Sequence, residues 1–231
     1  YIGTDPTGMS LVSNGIEDSR TMIFDLGSQG LTLGGQDPEN RNIFASYGAM
    51  QIGSNLIPQG DPATTSDLTV KGNNFFVGSD SVTPIPPGDP SFWGGYLYFA
   101  NINGLTIGGD AAGEGNIIEN LTSQGLVLDW GTRDVIIAGN RIVGNAGSGI
   151  VLQRGVQDVR IGGTVVSSRN VISDSAQHGI RIDADIERVQ VIGNYIGVAD
   201  DGITPLANGD TNIKIVDSSD ISIGGVNTNQ K

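Results

Sequence analysis

The feature that most restricts this chain is a short apolar strand that returns again and again and stops at glycine. Four segments close on a glycine pair: Leu31-Thr32-Leu33-Gly34-Gly35, Leu105-Thr106-Ile107-Gly108-Gly109, Val159-Arg160-Ile161-Gly162-Gly163 and Ile221-Ser222-Ile223-Gly224-Gly225. Leu68-Thr69-Val70, Val135-Ile136-Ile137 and Val189-Gln190-Val191 fill the intervals. Each alternates with the period of two that marks a strand with one buried face. A second strand precedes these at a fixed offset: Leu126 leads Val135 by nine, Ile150 leads Val159 by nine and Ile180 leads Val189 by nine. Met22 before Leu31 and Tyr96 before Leu105 extend that series. A third strand opens on asparagine, at Asn42-Ile43, Asn74-Phe75, Asn116-Ile117, Asn140-Arg141-Ile142, Asn170-Val171 and Asn194-Tyr195-Ile196.

Three strands therefore recur in order every 24 to 37 residues, with no helical period between them. Parallel neighbours normally need long crossovers, and a solenoid avoids them by laying each coil on the previous one. Glycine supplies corners with positive φ, and asparagine tolerates the left-handed region and can bond its equivalents in a ladder. The expected fold is all-β, a right-handed parallel β-helix with three short strands per coil. At the usual strand spacing, roughly seven coils make a rod about 35 Å long. A longer echo, Tyr1-Ile2-Gly3 with Gly8 and Asn14-Gly15 against Tyr195-Ile196-Gly197 with Gly202 and Asn208-Gly209, fits one such segment over residues 1–231. It reads as a piece of a longer solenoid, with a loop insertion at 81–95.

Composition agrees. The chain has 36 Gly and 37% hydrophobic residues but only 16% charged, against roughly a quarter in ordinary domains. A net charge of −13 repels phosphate backbones and excludes nucleic acid as a partner class. No cysteine is present, which removes disulfides, thiolate metal sites and cysteine nucleophiles. No apolar run approaches the roughly 18 residues of a membrane-spanning helix.

The Gly-Asn-Tyr-Ile-Gly unit around Asn194, the Ile-Gly-Gly corners and the Asn-Val-Ile-Ser strand at Asn170 resemble right-handed parallel β-helix repeat proteins of the pectin-lyase-like superfamily. That resemblance spans nearly the whole chain. It implies the fold and a secreted or surface location in bacteria, but no single activity, because the superfamily includes lyases, hydrolases, epimerases, adhesins and phage tailspikes.

Candidate chemistry follows from the columns that alternation creates. With Leu126, Leu128, Ile150, Leu152, Ile180 and Ile182 inward, Val127, Asp129, Val151, Gln153, Arg181 and Asp183 face outward. Asp129 and Asp183 then share a column two coils apart, roughly 9 to 10 Å, at the upper edge of the roughly 6.5 to 9.5 Å over which paired carboxylates hydrolyse glycosides with inversion. Arg181 and Trp130 are near this pair, and a solvated acidic surface is the plainer alternative. His178 is the only histidine and sits in a corner; its His-Gly pair resembles that of polygalacturonases, whose paired-aspartate motif is absent here. Asp183, Asp185 and Arg181 imitate the calcium cluster of pectate lyases without a motif to fix them. No cofactor is required, although Asp5, Asp80, Asp200 and Asp201 offer the oxygen ligands that calcium takes; solvated turns are the plainer reading. Thr32, Thr69 and Thr106 form an outward column that ordinary strand propensity accounts for.

The nine-residue offset also places Ile23, Leu97, Val127 and Val151 outward, with Phe99 beside them. Such an apolar stripe is either covered by the insertion from Pro84 to Gly95, with Phe92 and Trp93, or is a docking surface for another chain, another copy or a sugar. The expected function is a non-catalytic extracellular structural or adhesive module of a surface or filament protein. Its expected partners are neighbouring domains or copies of itself, and polysaccharide. The alternative is a polysaccharide lyase or glycoside hydrolase.

Overall fold

In a computed structural model, residues 2, 4–12, 22–23, 27–45, 49–53, 64–85 and 95–225 are described, with 22–23 as backbone only. They form a right-handed parallel β-helix of three sheets. The first sheet stacks Met22–Ile23, Met50–Gly53, Leu97–Ala100, Leu126–Asp129, Ile150–Leu152, Ile180–Ile182 and Ile213–Ile215. In the second lie Thr32–Gly34, Thr65–Lys71, Ile102–Gly108, Arg133–Ala138, Gln157–Gly162, Glu187–Ile192 and Ser219–Ile223. The third contains Ile43–Phe44, Asn74–Phe75, Ile117–Glu119, Arg141–Val143, Val171–Ser173 and Tyr195–Ile196. Every pairing between named strands is parallel and joins one coil to the next, as between Ile150 and Ile180.

Alternation does the sorting. Leu126, Leu128, Ile150, Leu152, Ile180 and Ile182 are fully buried, and Val135, Ile137, Val159 and Ile161 face them from the second sheet. The third sheet closes the core with Ile118, Ile142 and Ile172, and with Phe44 stacked on Phe75 at 5.1 Å. Each such aliphatic contributes roughly 1.5–3 kcal/mol by leaving water.

Two expectations slip by one residue. Leu97, not Tyr96, pairs with Met50 and Leu126, so Leu97 and Phe99 are core residues, 1% and 2% exposed. The cause is a shorter corner between the first two strands of that coil. Ala100 pairs with Asp129 and Asn103 with Arg133, so three steps replace four and the offset is eight. Ile23 pairs with Ile52, which places its backbone in the register of Phe99 and Leu128 rather than that of Val127. In the third sheet Asn74 pairs with Ile43, and Asn73 occupies the corner position expected of Asn74.

That corner carries a ladder. The amide of Asn42 donates to Oδ1 of Asn73 at 3.0 Å, and the pattern continues from Asn73 to Asn116 (3.1 Å), Asn140 (2.9 Å), Asn170 (3.0 Å) and Asn194 (2.8 Å). The same oxygens accept backbone N–H groups from the coil before, and Asn140 sends its amide to the Ile107 carbonyl as well. Buried polar groups at a sharp bend are thereby paired without water.

The corners also alternate. From Gly34, Gly108 and Gly162 the chain takes eight positions to reach its ladder asparagine, whereas from Lys71, Ala138 and Ile192 it takes two. The longer excursions, including 3₁₀ turns at Pro38–Asn40 and Val166–Ser168, meet across the tight corner between them. Gln36 donates to the Ala112 carbonyl at 3.0 Å, and Ser168 and Arg160 bind the Asp110 carboxylate at 2.7 and 2.9 Å. The structural repeat here is two coils.

Hairpin-like turns at residues 4–11 and 77–84 lie outside the third sheet, where Leu11, Ile43, Ala45 and Ile85 form a small second core. Residues 86–94 of the expected insertion, with Phe92 and Trp93, lie outside the described residues.

Gly108 and Gly155 test the stacking against backbone strain alone. Both have positive φ, but a Cβ on Gly108 would lie 1.9 Å from the Ala138 carbonyl, while one on Gly155 meets nothing within 4 Å. Gly155→Ala should cost about 1–2 kcal/mol. Gly108→Ala should cost a further ~1–3 kcal/mol for overpacking, read from urea midpoints. Equal losses would contradict the close stacking of the coils.

Candidate functional site

The outer face of the first sheet carries the column Gln51, Tyr98, Val127, Val151, Arg181 and Lys214, in register through six coils. Val127 and Val151 point outward yet are only 5% and 1% exposed. They floor a cleft of about 420 Å³ walled by Tyr96, Ser123 and Gln124 on one side and Asp129, Gln153 and Arg154 on the other. Among the described side chains, the expected apolar stripe is thus reduced to Val127 and Val151. Leu97 and Phe99 have left it for the core.

Asp129 organises one wall. It ends its strand fully buried. Its Oδ1 accepts the Trp130 backbone N–H at 2.7 Å. Its Oδ2 accepts the Tyr98 hydroxyl at 2.7 Å, the Gln153 amide at 2.8 Å and an Arg154 Nη1–H at 2.6 Å. Burial, and then the bond to Asp129, push the Tyr98 phenol well above the ordinary tyrosine range. Trp130 and Arg154 occupy left-handed corner positions, with φ of 50° and 52°. The Arg154 guanidinium lies 5.4 Å from the Trp130 ring centroid, within cation–π range, and Trp130 is 43% exposed.

The two expected carboxylates have different surroundings in this geometry. Leu128, Leu152 and Ile182 are paired in register, so Asp129, Gln153 and Asp183 follow them in one row, as expected. Gln153 stands between the two acids, however, and Asp129 is closed to solvent with four donors on its oxygens. Asp183 accepts Arg181 Nη2–H at 2.8 Å. A general acid or base must lie within hydrogen-bond reach of the proton it moves, and both Asp129 oxygens are here occupied by donors of the protein itself. Tyr98, Gln153 and Arg154 are site residues that the sequence reading missed. No signal marked Tyr98, because the alternation of Tyr96-Leu97-Tyr98-Phe99 fits either register.

The calcium candidates are dispersed. Asp5, Asp80 and Asp201 each clamp their own turn through a threonine hydroxyl and backbone N–H groups, and those threonine bonds lead in holding their carboxyls below the usual range. Asp200 pairs instead with Arg141 at 3.2 Å. Among the described residues no group of three or more His, Asp or Glu is placed to hold a metal ion. His178 is 8% exposed, with Nδ1 3.0 Å from the Thr211 hydroxyl. The Thr32, Thr69 and Thr106 column is in register and continues through Ile136 and Arg160.

No family model and no curated protein matches the chain. Among solved structures it is similar to a periplasmic alginate epimerase, at 18% identity and a TM-score of 0.38, over 77% of this chain and 47% of that one. The chain therefore spans about half the length of that enzyme.

Glu119 provides a pH test outside the cleft. Its side chain is 12% exposed and meets Arg141 Nε at 2.5 Å. Burial raises its pKa above the ordinary 4.5, and the nearby Asp200 carboxylate adds to the rise, against the lowering effect of Arg141. The folded state therefore holds this proton longer than the unfolded state. Its ionisation removes stability as pH climbs from the unfolded value through the folded one. Glu119→Gln should gain melting temperature relative to the parent over the pH interval that opens at the ordinary 4.5. A difference that stays constant over that interval, or reverses, would count against the burial of this carboxyl.

Proposed function

We propose that this chain is a non-catalytic extracellular module of a surface or filament protein, a rigid rod whose first-sheet cleft adheres to polysaccharide. The observation that carries this reading is the state of Asp129. Of the two expected catalytic acids, it is the one that lines the cleft, yet it is buried and supplied with four donors. What remains available suits recognition without turnover. Tyr96 and Trp130 offer aromatic faces for sugar rings, Gln51, Gln124 and Gln153 offer amides, and Arg154 offers a guanidinium whose side chain is 59% exposed. A stack of parallel sheets holds these groups at fixed spacing, which keeps the ordering penalty of binding small.

A polysaccharide-active enzyme is the second reading. It is favoured by one feature: Asp183 is half-buried beside Arg181, and Arg181 also lines the cleft.

Incubation with an oligouronate and with a neutral β-glucan oligomer, followed by calorimetry and product assays, separates the two. The expected result is binding without reducing or unsaturated products, weakened about tenfold by Arg154→Gln through loss of a charge-assisted contact. Products that disappear in Asp183→Asn would overturn the adhesive reading.

A further inference from the structure

We infer that Asp129 is a positioning residue, which locks side chains from three consecutive coils into one wall of the cleft before any ligand arrives. The inference rests on the reading of that cleft as the binding site and adds how its geometry is set.

Tyr98 lies one coil before Asp129, and Gln153 and Arg154 one coil after. None of the three is close to another in sequence except the last pair. Their donors converge on a single oxygen, Oδ2, at 2.7, 2.8 and 2.6 Å. The other oxygen fixes the backbone of Trp130, the residue whose ring lies beside Arg154. One carboxylate thus holds the Trp130 backbone, an amide, a guanidinium and a phenol at once.

Charge makes the arrangement directional. An ionised carboxylate only accepts, so all four partners must donate toward it, which fixes the hydroxyl rotor of Tyr98 and the amide orientation of Gln153. Arg154 is left with its remaining N–H groups turned outward on a side chain that is 59% exposed. The corner residues Trp130 and Arg154 hold left-handed backbone conformations that side chains rarely adopt. Asp129 bonds both of them.

The test compares Asp129→Asn with the parent in the full chain, glycan binding being read with Trp93 intact and the optical signatures in a Trp93→Phe background that leaves Trp130 as the sole tryptophan of two. An amide at this position would present N–H to donors, so the wall should loosen while the coils stay stacked. Three changes are expected: Trp130 emission shifts to the red, a tyrosine that resists alkaline ionisation in the parent titrates with the others, and oligouronate binding weakens about tenfold. A folded variant in which emission and tyrosine titration match the parent would overturn the inference. Should the parent bind neither glycan while both optical signatures move, the adhesive reading fails and the positioning role stands.

If Asp129→Asn does not fold, a double-mutant cycle replaces it. Tyr98→Phe and Arg154→Gln are side chains two coils apart that meet through Asp129. Their urea midpoint shifts should be non-additive, and simple additivity would overturn the shared carboxylate.

Discussion

The whole molecule depends on identical strands lying in register one coil above another. Register decides everything because a slip of one residue in a strand exchanges its buried and exposed faces. Here the register is held from two directions. Branched aliphatics stack inside all three sheets, and on the corner between the second and third sheets the asparagine ladder bonds side chain to side chain from Asn42 to Asn194. An asparagine in that ladder satisfies its own corner and the corner before it, so an error in one coil would leave polar groups unpaired in two. The alternate excursions that meet at Asp110 add a second level of order with a two-coil period.

Stacking is also what makes the cleft. Residues separated by 31 and 25 positions are brought to one carboxylate because their coils are neighbours. The floor is apolar at Val127 and Val151, and the walls come from the corners on either side of the sheet, where the backbone can take left-handed conformations. A buried acid with four donors is a poor proton shuttle and a good anchor. The same burial that surrounds Asp129 with donors draws Arg154 and the Trp130 backbone to it. Strand faces supply spacing here, and corners supply chemistry.

Much of this was legible in the sequence. The glycine corners, the asparagine openings and the period-two strands led to three sheets, to the inward set from Leu126 to Ile182 and to the shared row of Asp129 and Asp183. What failed has a physical cause in each case. The nine-residue offset assumes a constant corner, and the corner at Asn101 is one residue shorter, so Leu97 and Phe99 were placed on the wrong face. Tyr96-Leu97-Tyr98-Phe99 gave no warning, since aromatic and aliphatic residues alternate and either set could be buried. Asn73 and Asn74 are adjacent, and only the packing of neighbouring coils selects Asn73 for the ladder. The pairing of Tyr98 with Arg154 through Asp129 has no linear signature at all, because periodicity reports which face a side chain takes and not what meets it there.

The most direct measurement of the in-register stack is disulfide cross-linking in a chain that has no cysteine of its own. Ile136 and Arg160 are partners on adjacent coils of the second sheet, facing outward, and Gln190 is the next in that column. Neighbouring strands lie about 4.8 Å apart, within the span a disulfide bridges, and strands two apart lie beyond it. The Ile136→Cys, Arg160→Cys pair should oxidise readily to an intramolecular bond, and the Ile136→Cys, Gln190→Cys pair should not. Ready bonding of the second pair with failure of the first would contradict the stack on which the cleft and its chemistry are built.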